Sequence, residues 1–268
     1  MIDVLLAFLA SLAFDLGRYG VVSVAGFFIF WRWLGPSLRA RWLRPSPPDR
    51  ASMRREILAS IRTAAIFGVV GCIELTGTKA GIFRVYEDVS LHGGLAYALV
   101  TPLILIVLQD AYFYVTHRAM HHRLLFKAVH LEHHLSRHTS PFTAYAFSPI
   151  EALVHAAFVP LVTLVLPAHP IALFVFLLFM IVRNVLGHVG IEVYPAGFVT
   201  GPLAALSTTT THHALHHLRP NTNFGLYFPH WDRIFGTTDG QYETRFRAVT
   251  EGDRTDVRET SALGVRSP

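Results

Sequence analysis

The chain has 268 residues, of which 52% are hydrophobic and 15% charged, with a net charge of +5 and a mean hydropathy of +0.40. Soluble globular domains average about 25% charged residues, so this composition excludes an ordinary soluble domain and predicts an integral membrane protein, and the length suits one domain. The positive charge is almost all arginine, Lys79 and Lys127 being the only lysines; in so apolar a chain it reads as membrane topology rather than nucleic-acid binding. The single cysteine, Cys72, excludes an intrachain disulfide, a CxxC zinc site and a cysteine-ligated iron–sulfur cluster.

The opening MIDVLLAFLA has no basic n-region, so no cleaved signal peptide is expected. The first apolar stretch runs to about Leu34 and is interrupted by Asp15 and Arg18. Residues 19–34 read as a span; residues 2–14, short of the roughly 20 that crossing needs, either lie at the interface or extend a tilted helix. A proline-broken basic segment carries Arg39, Arg41, Arg44, Arg50, Arg54 and Arg55. Spans are predicted over about 57–77 and 94–115. The run 151–187 is long enough for two shorter spans, broken at Pro167-Ala168-His169-Pro170. Residues 1–245 read as one membrane-embedded domain and 246–268 as a disordered tail.

Six arginines between the first two spans place that connection in the cytoplasm. The chain then goes out through 57–77 and back through 94–115, and the 151–187 hairpin goes out and back again. Every histidine cluster is thereby delivered to one face of the membrane.

There are 16 histidines, and most fall in HRAMHH at 117–122, HLEHH at 130–134 and HHALHH at 212–217. His117 and His121 are four apart; His130, His133 and His134 follow i, i+3, i+4, as do His213, His216 and His217. On a helix each set falls on one face, so its imidazoles can converge on one point. Imidazole suits iron, zinc and copper, and eight ligands exceed what one four-coordinate ion takes, so two metals are expected. A chance His-rich loop has no reason to repeat H-x-x-H-H. Nothing in the chain reads HExxH, GxSxG or GxGxxG, which argues against a zincin protease, an α/β-hydrolase and a Rossmann nucleotide site. Asp110, seven residues before His117, together with Glu151 and Asp232, are candidates to accept the outer N–H of a ligating imidazole.

The boxes HRAMH (117–121), HLEHH (130–134) and HALHH (213–217) resemble those of the fatty acid hydroxylase/sterol desaturase superfamily. Gln109-Asp110-Ala111-Tyr112 through His117-Arg118 is similar to the helix entering that family's first box. Asn221 to Gly225 and Trp231-Asp232-Arg233-Ile234-Phe235-Gly236-Thr237 are similar to the segment after its last. The resemblance covers roughly 50–240. It implies an all-α membrane bundle of four to five spans with a cytoplasmic histidine-rich helical cap. It also implies non-haem di-iron, with zinc as a possible substitute, and an O2-dependent hydroxylation or desaturation of an unactivated C–H in a lipid, sterol or fatty-acyl substrate. The ligands it implies are His117, His121, His130, His133, His134, His213, His216 and His217. His188 matches the isolated histidine between the second and last boxes, where some relatives carry HxxxH; here Asn184 stands four residues earlier, so Asn184 or a water it holds is a candidate ligand. His122 and His212 are set aside beside better-matched neighbours, and His138 is open between ligand support and surface loop. His92, His155, His169 and His230 read as interfacial or packing residues. Leu91-His92-Gly93-Gly94 weakly resembles the haem motif of cytochrome b5 but lacks its proline, so electrons are expected from a separate ferredoxin-type or cytochrome b5-type protein. A competing reading is a membrane metal-binding or transport protein; box positions at the ends of apolar runs, rather than at mid-depth, disfavour it. A dead scaffold is disfavoured by intact boxes.

Overall fold

The computed structural model describes residues 2–44 and 47–252. Helix α1 (Ile2–Gly26) continues as a π-helical turn, Phe27–Trp33. The first apolar stretch is therefore one long helix, and residues 2–14 extend the span rather than lying at the interface. Helices α2 (Arg50–Lys79), α3 (Gly94–Met120), α4 (Phe126–Val129) and α5 (Leu131–His134) follow, then α6 (Pro149–Ala156), α7 (Phe158–Thr163) and α8 (Pro170–His188). Helices α9 (Thr210–Leu218), α10 (His230–Ile234) and α11 (Tyr242–Glu251) complete the cap. No strand occurs among the described residues; Trp42 with Ile191 and Val85 with Ala168 form isolated bridges.

Among the described residues, four helices are long and apolar enough to cross a membrane: Asp3–Trp33, Arg50–Lys79, Leu91–Met120 and Pro170–His188. Between the third and fourth, the shorter apolar segment Pro149–Thr163 runs the length of the bundle. It starts beside His130, where Glu151 Oε1 lies 2.7 Å from Nδ1, and ends where Thr163 O accepts from Arg84 N at 2.8 Å. The hairpin read over 151–187 is thus present, with a first arm of only two short helices. Local chemistry sets these boundaries. Asp49 caps α2 by accepting from Ser52 N at 2.7 Å. Ser148 caps α6 and Thr209 caps α9. Pro149 and Pro170 sit in first turns, where the missing N–H costs nothing.

Helices α1 and α2 pack closely because α2 is small where they cross. A Cβ on Gly68 would lie 3.1 Å from Leu12 Cα, and one on Gly71 would lie 3.0 Å from Ser11 Oγ. At one end of the bundle the arginine-rich connection meets the segment after α8: Leu43 N donates to Gly190 O and Glu192 N to Arg41 O. That end also holds the histidine boxes. The 80–91 connection lies at the other end, with Tyr86 N donating to Ala168 O.

The expected tail from 246 differs in its first six positions. They belong to α11, whose Phe246 is fully buried because its apolar face packs against the cap. Positions 253–268 of that expectation lie outside the described residues.

Candidate metal centre

Nine imidazoles converge at the cap in two groups, each with ligand atoms within 4.8 Å of one another. One holds His117, His121, His130, His134 and His216; the other holds His133, His188, His213 and His217. The boxes do not each aim at one point, as the face argument suggests. In the second box, His130 and His134 serve the group of five while His133 turns to the group of four. In the third, His213 and His217 serve the group of four while His216 turns away. The cause is helical pitch: at 3.6 residues per turn, i and i+4 nearly eclipse, whereas i+3 and i+4 diverge by about 100°. One H-x-x-H-H box therefore reaches two points.

Outer contacts orient the rings. His117 Nδ1 donates to Phe224 O at 2.9 Å, His216 Nδ1 to Thr222 O at 2.7 Å, and His188 Nδ1 to Asn184 O at 2.7 Å. A carbonyl only accepts, so these three rings carry their proton on Nδ1 and turn a bare Nε2 lone pair inward. His216 Nε2 lies 3.1 Å from both His121 Nε2 and His134 Nε2. His188 Nε2 lies 2.9 Å from His213 Nε2 and 3.4 Å from His133 Nε2, and His213 Nε2 is 3.2 Å from His217 Nε2. One lone pair cannot satisfy two donors. The Nδ1 atoms of His133 and His217 are buried without a partner. A cation at each focus resolves this arrangement, so the residues present fit two metal ions. Burial, and then the neighbouring imidazoles, hold His130, His133, His213, His216 and His217 well below the usual histidine range, and His134 down to about 3. At neutral pH these rings are uncharged, the form that binds metal.

Of the three carboxylates expected to support ligands, Glu151 touches one. It is fully buried, and its Oε1 lies 2.7 Å from His130 Nδ1. Asp110 instead accepts the backbone N–H groups of Tyr227 and Phe228 at 2.8 and 3.3 Å. Asp232 accepts from Phe224 N, Gly225 N and Thr237 Oγ1. Both carboxylates serve the segment after the last box rather than an imidazole of either group, because that segment folds back beneath α3 and leaves its amides inside. They act on the centre through that segment, which supplies Thr222 O and Phe224 O. Asn184 donates its Nδ2 to Ala144 O at 2.6 Å and gives its backbone oxygen to His188, which makes it a support of the His188 ring in this structure.

His212 lies outside both groups, yet it is fully buried, with Nε2 3.2 Å from Asp232 Oδ2 and its ring packed against Tyr242. Glu192, which sequence reasoning missed, accepts Thr211 N and Thr211 Oγ1 and so anchors the first turn of α9. Only its acidity in an apolar stretch marks it. His155, read as packing, stacks on Phe113 at 5.3 Å and packs on Phe147 at 4.9 Å, with Nε2 3.7 Å from Glu151 Oε1. His138 and the exposed His122 and His230 are in neither group. His92 and His169 flank Tyr86 at the opposite end of the bundle.

Phe113 packs on His117 at 4.7 Å and Phe147 on His133 at 5.3 Å. These rings and His155 form one wall of an apolar cavity of about 330 Å³ that runs down between α1, α2, α3 and α8. The metal centre thus lies one layer of rings from the cavity.

The sequence model of the fatty acid hydroxylase family matches residues 102–237, just over half of the chain. Among curated proteins, the chain is 38% identical over 148 residues to very-long-chain aldehyde decarbonylase GL1-1 of Oryza sativa subsp. indica, covering 53% of this chain and 24% of that protein. It is 29% identical over 180 residues to lathosterol oxidase of Mus musculus, covering 66% of this chain and 56% of that protein. It is 26% identical over 202 residues to a Delta(7)-sterol 5(6)-desaturase of Aspergillus fumigatus, covering 75% and 55%. The chain thus spans about a quarter of the decarbonylase and somewhat over half of the sterol enzymes. No solved structure matches it. The matched region carries all nine converging histidines, and the chain belongs to the fatty acid hydroxylase family within the fatty acid hydroxylase/sterol desaturase superfamily.

Proposed function

We propose that this chain is an O2-dependent, di-iron oxidoreductase that hydroxylates an unactivated C–H of a lipid, with desaturation as the related outcome. The observation that carries this reading is the pair of imidazole groups placed over an apolar cavity among membrane-length helices. The names of its relatives, which act on sterols and very-long-chain aldehydes, support a lipid substrate.

His117, His121, His130, His134 and His216 would hold one iron, and His133, His188, His213 and His217 the other. Bound iron supplies the oxygen-activating redox chemistry that no side chain here can. The chain's own residues position and shield. Glu151 packs its carboxyl against His130, while the carbonyls of Phe224, Thr222 and Asn184 fix His117, His216 and His188. Phe113 and Phe147 pack between the centre and the cavity and help to keep water from it. No side-chain acid or base is required. Zinc can occupy the same imidazoles without the redox chemistry.

The arginines of the 35–55 connection, at the same end as the boxes, support a cytoplasmic cap. Electrons then come from a separate cytoplasmic donor of ferredoxin or cytochrome b5 type. Transport is disfavoured because both groups sit at helix ends, not at mid-depth.

The deciding experiment is reductant-dependent oxygen uptake by purified, iron-loaded protein, with mass spectrometry of lipids from a deletion strain against wild type. Gain of one oxygen by a lipid signals hydroxylation, and loss of two hydrogens signals desaturation. No oxygen uptake and no lipid change would sink the reading.

A further inference from the structure

Helix α1 lies outside the stretch matched by the family, yet it forms one wall of the cavity through Ala10, Ser11, Phe14, Asp15 and Arg18. Asp15 and Arg18 are one turn apart and form an ion pair, their side chains 10% and 4% exposed. Charges within a membrane helix are costly. A buried pair also adds little net stability, since apolar residues of similar volume often do as well. Packing alone does not explain why this pair sits on the cavity face of α1.

The pair is held firmly and left incomplete. Arg18 Nη1 donates to Leu177 O at 2.8 Å, Nη2 donates to Asp15 Oδ1, and the guanidinium lies over Phe14 at 5.2 Å. Arg18 Nε has no acceptor. Asp15 is bonded through Oδ1 alone, which leaves Oδ2 as an acceptor at the cavity wall. The Tyr145 hydroxyl, beside Arg18 and on the same cavity, is buried and has no acceptor for its own O–H. Its ring is 6.2 Å from Phe147, which in turn packs on His133. The cavity wall is mostly apolar but also carries Ser11, Glu74, Gln109, His155 and Asn184, with Glu74 Oε2 and Gln109 Oε1 unpartnered. The Asp15–Arg18–Tyr145 spot differs from these in setting a free carboxylate oxygen beside a hydroxyl donor and a neutralised cation.

We infer that this spot binds a hydroxyl group of the lipid, so the substrate class is a neutral lipid alcohol. The inference rests on the reading of the cavity as the substrate site. A hydroxyl donates to Asp15 Oδ2 and accepts from Tyr145 O–H, which uses both kinds of free group. A fatty carboxylate or a phosphate would face Asp15 with no spare cation, because Arg18 is already neutralised. An ether or hydrocarbon would leave Asp15 Oδ2 unpaired. Long-chain alcohols and 3-hydroxysterols share the required chemistry.

The test measures equilibrium binding of four probes to full-length, metal-loaded protein in detergent: hexadecanol, hexadecyl methyl ether, hexadecanoate and a 3-hydroxysterol. At least one alcohol binds about 10-fold to 100-fold more tightly than ether or carboxylate, the range expected for a hydrogen bond to a charged group. Whichever alcohol binds more tightly identifies the source. In Asp15→Leu/Arg18→Met this preference disappears while ether affinity is kept. In Tyr145→Phe, which leaves the ion pair in place, it falls several-fold. Equal binding of alcohol and ether by wild type, or a preference that survives the double variant, overturns the inference. If the double variant does not fold, an unchanged preference in Tyr145→Phe overturns it and a reduced one supports it. Metal content and oxygen uptake are read on the same preparations: a hydroxyl preference without either would sink the oxidoreductase reading and leave the subsite standing.

Discussion

His188 Nε2 lies 2.9 Å from His213 Nε2, so the last residue of α8 meets the first ligand-type histidine of the third box. The Nδ1–H of His188 is held by Asn184 O, which fixes the direction of the inward lone pair. His188 is thereby the member of the group of four that no box supplies. Purified wild-type protein is expected to hold two metals per chain, and His188→Ala about one, with turnover lost. Elemental analysis checks both. Two metals retained by an active His188→Ala would remove this residue from the centre.

Residues of one box are expected to serve different ions. His213→Ala/His217→Ala should lose the ion of the group of four, and His121→Ala/His134→Ala that of the group of five, each keeping about one metal. His169→Ala, at the far end, should keep both metals and most activity. Loss of both metals in His169→Ala with none lost in the box variants would refute the assignment.

Glu151→Gln replaces the carboxyl beside His130 Nδ1 with an amide of similar shape. Changes of this kind typically cost about 10–100-fold in metal affinity or activity. Competition with a chelator measures the affinity, and wild-type retention would mean that the contact does not matter. Asp110→Asn acts differently, because Asp110 holds the backbone of Tyr227 and Phe228. It is expected to lower stability by about 1–3 kcal/mol, read as a lower Tm, ahead of any change in metal content.

The metal-free protein should be acid-sensitive in a defined direction. Burial, then His117 nearby, lowers His134 to about 3, and burial and neighbouring imidazoles hold five other rings in the centre well below the usual histidine range. The unfolded chain takes up these protons near pH 6.5 and the folded chain resists them. This contribution is therefore fully present above about pH 6.5 and is lost as pH falls towards 3. Thermal melts of chelator-treated protein should show Tm falling below about pH 6.5. A Tm constant from pH 7 to 4 would contradict the buried, neutral cluster.

Cysteine labelling at positions 47, 125 and 222 should report the cytoplasmic side, and a site at 80 the opposite side. Finding 125 and 222 on different faces would separate ligands that the fold places together.

Much was legible in the sequence because it is local. Apolar runs of membrane length are a property of composition, and α2, α3 and α8 lie where hydropathy put them. The boxes were legible because i, i+4 spacing leaves two imidazoles on one side of a helix whatever lies beyond. Nine of the 16 histidines meet, and they are the nine that box spacing and the family resemblance marked. Tertiary structure alone decided how they divide, since whether His133 joins His134 or His188 depends on where α8 and α9 dock. It also decided which carboxylate serves a ligand. Asp110, Glu151 and Asp232 are equal as letters, and only the fold-back of residues 222–228 claims two of them for backbone amides and leaves Glu151 for His130. The pairing of Asp15 with Arg18 was available from their spacing. That the pair faces a cavity was not, because a cavity is the space left between helices distant in the chain.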